Sequence, residues 1–432
     1  MRADTMQMKF MQLGKRLLAA ATVAGTSLLI ASCGPSNTVD FLYATSNRGD
    51  PGNIDVYQVD SLSGALSKLP DSPYPSGGRN PVYDVTSPNG LNLYVANHDD
   101  NIIVHFAIGT DGKLYPLQSV TTPGTEPVAL AMNSAGTALY VLDYYAPAAP
   151  GQPSFTDLNP GPGAVIVYPI DSNGNMGAAL SVGAADYWSV QCFPSNLTAT
   201  PDGRHLYVTN TNAIVVTSSP PVTGTVPILP AQCPASGTVS AFTVQSTGSS
   251  SSQDVTGLSA VAGSPFPTGG GSQPTGIVSD TSSGWVYVTD SNLNEVYSYA
   301  VQPGGGISLA DTVPTGTMPM DAIVYGTSPS PEYLYISNFA DGSISSYSLN
   351  SGRPTAITTT DSGSSGPLCM IIDPDMGRFF FTADYTGNMV GGMVFNPANG
   401  SLITSQLSPY PGSGQPTCVA AAPQKYGRHN GL

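Results

Sequence analysis

His98 is the one histidine of four that falls both inside the folded part of the chain and at the end of a strand-like run. His105 sits within a strand, His205 in a turn of the opposite face and His429 in the tail. A lone imidazole titrates near neutrality and can act as a general base, provided a cation stands beside it to balance developing charge. Arg48 and Arg79 are the cations expected for that role. Around them recurs a set of polar residues: Asn97, Glu126, Asp143, Asn196, Asn210, Asp290, Asp321, Asn338 and Asp384. Such side chains at strand ends either cap turns through backbone N–H groups or present themselves to a ligand. Asp143, Asp290 and Asp384 together would form an acidic rim suited to a hard cation such as Ca²⁺, although no contiguous calcium loop accompanies them. The chain holds no phosphate-cradling glycine loop and no G-x-S-x-G elbow between a strand and a helix.

The elements that must position these residues repeat. Leu93-Tyr94-Val95-Ala96-Asn97 returns as Leu139-Tyr140-Val141-Leu142-Asp143, Leu206-Tyr207-Val208-Thr209-Asn210, Val286-Tyr287-Val288-Thr289-Asp290, Leu334-Tyr335-Ile336-Ser337-Asn338 and Phe380-Phe381-Thr382-Ala383-Asp384. Leu42-Tyr43-Ala44-Thr45-Ser46 opens the series. A proline precedes the aromatic by 13 residues at Pro81, Pro127, Pro194 and Pro274, by 16 at Pro319 and by 14 at Pro367. Turns such as Ser87-Pro88-Asn89-Gly90 lie between, so each pair reads as a hairpin. A third and a fourth strand follow, giving units of roughly four strands and 46–51 residues, the period of propeller blades. Seven aromatic strands predict an all-β, seven-bladed ring over residues 40–423. The first aromatic strand lacks a proline strand before it, and the last proline strand, from Pro416, lacks an aromatic strand after it. The C-terminal strand should therefore complete the N-terminal blade and remove the open edge. A solenoid with polar caps is the competing architecture. Pro/Gly/Ser-rich stretches at 146–163, 211–236 and 246–257 read as loops or flexible excursions. The phrase Ser72-Pro73-Tyr74-Pro75, repeated at 264–267 and 408–411, reads as a structural connection.

Residues 1–32 read as a leader: Arg2, Lys9, Lys15 and Arg16, then the apolar run Leu17–Ile30, too short to span a bilayer. Leu29-Ile30-Ala31-Ser32-Cys33 resembles the lipobox of bacterial lipoproteins, which makes Cys33 the expected lipidated residue, 33–39 a tether and 424–432 a tail. The expected location is the cell envelope, with the membrane touched only through the lipid. Removing the leader takes away four of the 13 basic and one of the 28 acidic residues, so the mature chain would carry −18. That balance argues against nucleic acid as a partner. A small molecule or an envelope protein remains the expected partner, and a monomer the expected state. Exported chains meet oxidising conditions, so Cys192, Cys233, Cys369 and Cys418 are disulfide candidates. Cys369 and Cys418 each follow a repeat proline by two residues, so a bridge between them would clamp the last blade to the first. Cys192 with Cys233 would tie down the second insertion.

The text Leu206-Tyr207-Val208-Thr209-Asn210 resembles the YVTN propeller repeats, and residues 40–423 resemble the seven-bladed lactonase-type propellers that include 6-phosphogluconolactonase-like proteins. The resemblance implies a lactonase fold and, for the enzymes, a Pro-Arg-His motif opening an inner strand and an Asn-Glu closing the next. This chain reads Phe193-Pro194-Ser195-Asn196-Leu197, Thr209-Asn210-Thr211 and Thr125-Glu126-Pro127-Val128-Ala129 at the corresponding places. The Arg, His and Glu of those motifs are missing. The sequence therefore points first to a ligand- or protein-binding scaffold and second to a divergent lactonase acting on a sugar lactone, with no cofactor called for.

Overall fold

A computed structural model describes residues 37–157, 159–211, 233, 236–248, 254–326 and 332–424. The leader, Cys33, His429 and the tail from residue 425 lie outside them, as do 212–232 and 249–253. The chain divides between Thr38 and Val39, and the ring belongs to the second unit. Seven antiparallel sheets form it, each with an inner, an aromatic, a third and an outer strand. Blade two is typical, built from Pro81–Thr86, Asn92–Asn97, Ile102–Ile108 and Leu114–Thr121. The other inner strands are Thr125–Met132, Pro194–Ala199, Pro274–Ser279, Pro319–Tyr325, Pro367–Ile372 and Pro416–Pro423. Each contacts its neighbour around the centre. Pro416–Pro423 pairs with Thr38–Ser46, Tyr43 opposite Ala420, and so closes the ring as the half-blades require.

The repeat proline and the repeat Asn or Asp are partners in the ladder. Pro81 faces Asn97, Pro127 faces Asp143, and Pro194 faces Asn210. Pro274 faces Asp290, Pro319 faces Asn338, and Pro367 faces Asp384. A proline cannot donate to the ladder, and at all of these pairs the register shifts beside it, a bulge that bends the strand mouth.

The aromatic strand's tyrosine does more than fill the core. Tyr43, Tyr94, Tyr207 and Tyr335 are buried, and each hydroxyl donates to a glycine carbonyl in the hairpin turn of the following blade: Gly112 (3.2 Å), Gly174 (2.6 Å), Gly305 (2.9 Å) and Gly400 (2.8 Å). At the fifth blade Ser298 takes this role, donating to Gly352 O at 2.6 Å. Near the channel, Ser195, Thr275 and Thr417 donate to the carbonyls of the next blade's repeat prolines, Pro274, Pro319 and Pro81 (2.7–2.9 Å). Gly52 and Gly237 open third strands against the next proline ring. A Cβ at either would lie 2.2 Å from Pro81 or Pro274, too close for any side chain.

The three Ser-Pro-aromatic-Pro phrases stand in for the upper part of an outer strand. Tyr74–Pro75, Phe266–Pro267 and Tyr410–Pro411 pair with the third strand of their blade. Ser72, Ser264 and Ser408 accept hydrogen bonds from Val56, Ala241 and Gly392 N–H (2.8–2.9 Å). Part of the stretch read as a third loop is strand instead, since Thr238–Thr247 and Asp254–Ala260 pair with each other. Both expected disulfides are present. Cys369–Cys418 joins neighbouring inner strands at a Cα–Cα distance of 4.9 Å, and Cys192–Cys233 ties the outer strand Trp188–Cys192 of blade three to the segment following the aromatic strand of blade four (5.4 Å).

Candidate functional site

On the inner strands, Tyr83 packs against three core clusters, which bring in Cys369, Ala421, Ala129 and Leu197. Asp84 is buried beside it with neither carboxylate oxygen hydrogen-bonded, and burial drives its pKa well up. Asp321 accepts from Met370 N–H of the next blade (2.9 Å), and burial pushes its carboxyl up to about 7.

At one mouth the sequence brings two blades together. One turn of 3₁₀ helix, His98–Asp100, follows the buried Asn97, and Asn101 turns left-handed (φ 56°). Asp99 accepts from His98 Nδ1 (2.7 Å) and from Asn80 Nδ2 (3.0 Å). The Asn80 bond, then His98, hold the Asp99 carboxyl below its usual range. An ionised carboxylate only accepts, so Nδ1 donates in this pair, and Nε2 faces the mouth. That nitrogen lies 3.8 Å from Glu126 Oε2. Glu126 is itself left-handed (φ 60°), held there by its N–H donating to Asn101 Oδ1 at 2.7 Å. Burial raises the Glu126 pKa; the nearby His98 opposes the rise, and Asp157 and Asp99 add to it. Asp157 accepts from Tyr145 (2.9 Å), and Tyr144 packs on Phe193 and the Cys192–Cys233 bridge. The same face continues at Phe339 and Tyr385, whose rings approach to 6.5 Å, with Asn47 Nδ2 donating to the Tyr385 hydroxyl (3.2 Å).

Of the three expected catalytic groups, His98 and Arg79 share one network and Arg48 does not join it. Arg79 donates from N and Nε to Asp100 (both 2.7 Å) and from Nη2 to Asp99 O (3.2 Å). Arg48 packs against Gly414, at the junction of blade one with its own inner strand. The strand-end residues are not displayed. Asn97, Asp143, Asn210, Asp290, Asn338 and Asp384 all have 0% exposure, and Asn196 and Asp321 have 8%. The aromatic strands are buried on both faces along their length, and their end residues hold turns there. Asp143 accepts from Gly124 N–H (2.9 Å), Asn338 from Gly316 N–H (3.0 Å), and Asp290 from Gln273, Asn292 and Leu293 N–H. Burial pushes Asp143 and Asp384 up to about 7. Asp143, Asp290 and Asp384 each serve their own blade, so they do not form the acidic rim expected for Ca²⁺. Among the described residues no group of three or more His, Cys, Asp or Glu is arranged to hold a metal ion.

The comparisons agree with this architecture. Residues 34–129 match the family model described as Lactonase, 7-bladed beta-propeller. The periplasmic gluconolactonase of Pseudomonas aeruginosa superposes with a TM-score of 0.66 at 18% identity, covering 89% of this chain and 99% of that one. A Bacteroides fragilis protein provisionally described as a 6-phosphogluconolactonase gives 0.65 at 18%, covering 89% and 98%. In fold, the chain is a seven-bladed propeller similar to these proteins. A comparison with curated proteins finds no match. At the His98 mouth, Arg79 is already paired with Asp100.

The sequence did not reveal Asn80, Asp99, Asp100, Tyr144, Tyr145 or Asp157 as site residues. The His-Asp-Asp run after Asn97 was the available signal. Asp157 comes from the first insertion, which Tyr145 and a short bridge between Thr156 and Asn159 hold in place.

Proposed function

We propose that this lactonase-type propeller is a binding protein, anchored at the bacterial cell envelope through lipid on Cys33, that captures a small neutral polar ligand at the His98 mouth. The observation that carries this reading is the pairing of Arg79. Its Nε and main-chain N–H are spent on Asp100, and among the described residues no other Arg or Lys joins the His98 network to stabilise an oxyanion. The carboxylates of Glu126, Asp99 and Asp157 disfavour phosphorylated ligands. They suit hydroxyl donors, while Phe339 and Tyr385 offer flat apolar surface of the kind sugar rings pack on. A divergent lactonase is the second reading, favoured by one feature: Asp99 orients His98 as a carboxylate orients a catalytic histidine. Calorimetry of the full chain with neutral aldonolactones and their open acids, alongside pH-stat hydrolysis, separates the two. Binding lost on Glu126→Gln, with hydrolysis equal to buffer, is expected. Turnover above buffer that His98→Asn abolishes would overturn the scaffold reading in favour of the enzyme.

A further inference from the structure

We infer that the face opposite the His98 mouth is the membrane-contacting surface, with Leu62, Leu91 and Met376 entering the headgroup–acyl boundary of a bilayer. The inference rests on the lipid anchor proposed above. Blade one's aromatic strand runs toward the His98 face, since Ser46 pairs with Pro416 at the proline mouth and Asp40 pairs with Pro423 at the far end. The chain therefore enters the ring on the opposite face, where Gln424 N–H donates to Val39 O (2.8 Å). Cys33 precedes Val39 by six residues, which reach at most about 20 Å when fully extended. A lipid on Cys33 would hold that face, and no other, against the bilayer.

The apolar side chains on that face are gathered at the same place. Leu62 (69% exposed), Leu91 (45%) and Met376 (44%) sit in turns of blades one, two and seven, the three contiguous blades around the chain's entry. At the place of Leu91, three residues before the repeat aromatic, blades three to six carry Thr137, Arg204, Gly284 and Glu332 instead. Contacts join the Leu62 and Leu91 turns to their neighbouring blades. Gly64, in the Leu62 turn, lies against Phe379, and Gly90 lies against Pro423. A groove of about 360 Å³ beside Leu91 is walled by Phe41, Ile108 and Pro423. Three side chains are too little surface to hold a protein on a membrane alone. A short tether makes their insertion intramolecular, which is the condition under which a small apolar patch is occupied. The acidic balance of the chain makes neutral phosphatidylcholine the appropriate bilayer. The His98 mouth then faces away from the membrane, open to diffusing ligand.

The test uses the full chain produced in a bacterium and placed in phosphatidylcholine vesicles carrying brominated acyl chains, which quench tryptophan on contact. Leu62→Trp and Leu91→Trp report on the proposed surface. Leu293→Trp, exposed in the turn after blade five's aromatic strand, reports on the mouth. At least twofold stronger quenching at positions 62 and 91 than at 293, above the Trp188 and Trp285 background, is expected. Equal quenching at all three overturns the inference. Intact mass reads the anchor separately. A chain without lipid refutes the anchoring, and it is then coupled through the Cys33 thiol to a maleimide lipid in the same vesicles, so the face is still read.

Discussion

Removing one buried hydroxyl at a time should separate tyrosines that latch blades together from tyrosines that only fill space. Tyr94 donates to Gly174 O across a blade boundary at 2.6 Å, with no solvent to replace it. Tyr94→Phe keeps the ring and strands that carbonyl. A net hydrogen bond contributes about 1 kcal/mol, and leaving a buried partner unmade adds to the cost, so a loss of about 1–2 kcal/mol is expected. Tyr140 and Tyr287 occupy the same repeat position, are equally buried, and have no hydrogen-bond partner for their hydroxyls. Tyr140→Phe and Tyr287→Phe should therefore be neutral or slightly stabilising, because each removes an unsatisfied polar atom. Phe381 already stands at that place in blade seven. Tyr43, Tyr207 and Tyr335 lie at separate blade boundaries, so their losses should add. The quadruple variant would lose about 4–8 kcal/mol, comparable with the whole stability of an ordinary domain. Urea unfolding followed by circular dichroism, with disulfides intact, reads the midpoints. Equal losses for Tyr94→Phe and Tyr140→Phe would refute the latch, because cavity and packing effects are shared while the hydrogen bond is not.

Cys369 and Cys418 enclose 49 residues of chain separation, so replacing both with Ser should cost about 4 kcal/mol and lower the unfolding midpoint, whereas an unchanged midpoint would show that strand pairing alone closes the ring. Asp143, Asp321 and Asp384 are pushed up to about 7 and Asp40 to about 8, mainly by burial, from an ordinary 3.8. Between those values the native state holds more protons than the unfolded chain, so stability should fall as pH rises from about 4 and level off above about 8. Denaturation midpoints across that range check the sign, and Asp143→Asn should flatten the slope.

The ring itself was legible because it is written seven times. Period-two strands, a proline 13 residues before an aromatic, and complementary half-blades at Tyr43 and Pro416 leave little freedom in topology. The mouth was harder to read, and the reason is local. A strand pattern tells which side a residue takes along a regular ladder, but in these aromatic strands both sides are covered, so the strand-end Asn or Asp is buried as well. The residue that reaches the mouth is the next one in sequence. At that place the seven blades carry Asn47, His98, Tyr144, Thr211, Ser291, Phe339 and Tyr385. The buried position is nearly uniform because every blade needs the same turn held. The position after it varies from blade to blade, with only Tyr occurring twice, at Tyr144 and Tyr385. Stability has fixed one residue of each pair and left its neighbour free to serve a ligand. On the proposed function, a ligand would meet a set with one imidazole, three aromatics and no Lys or Arg.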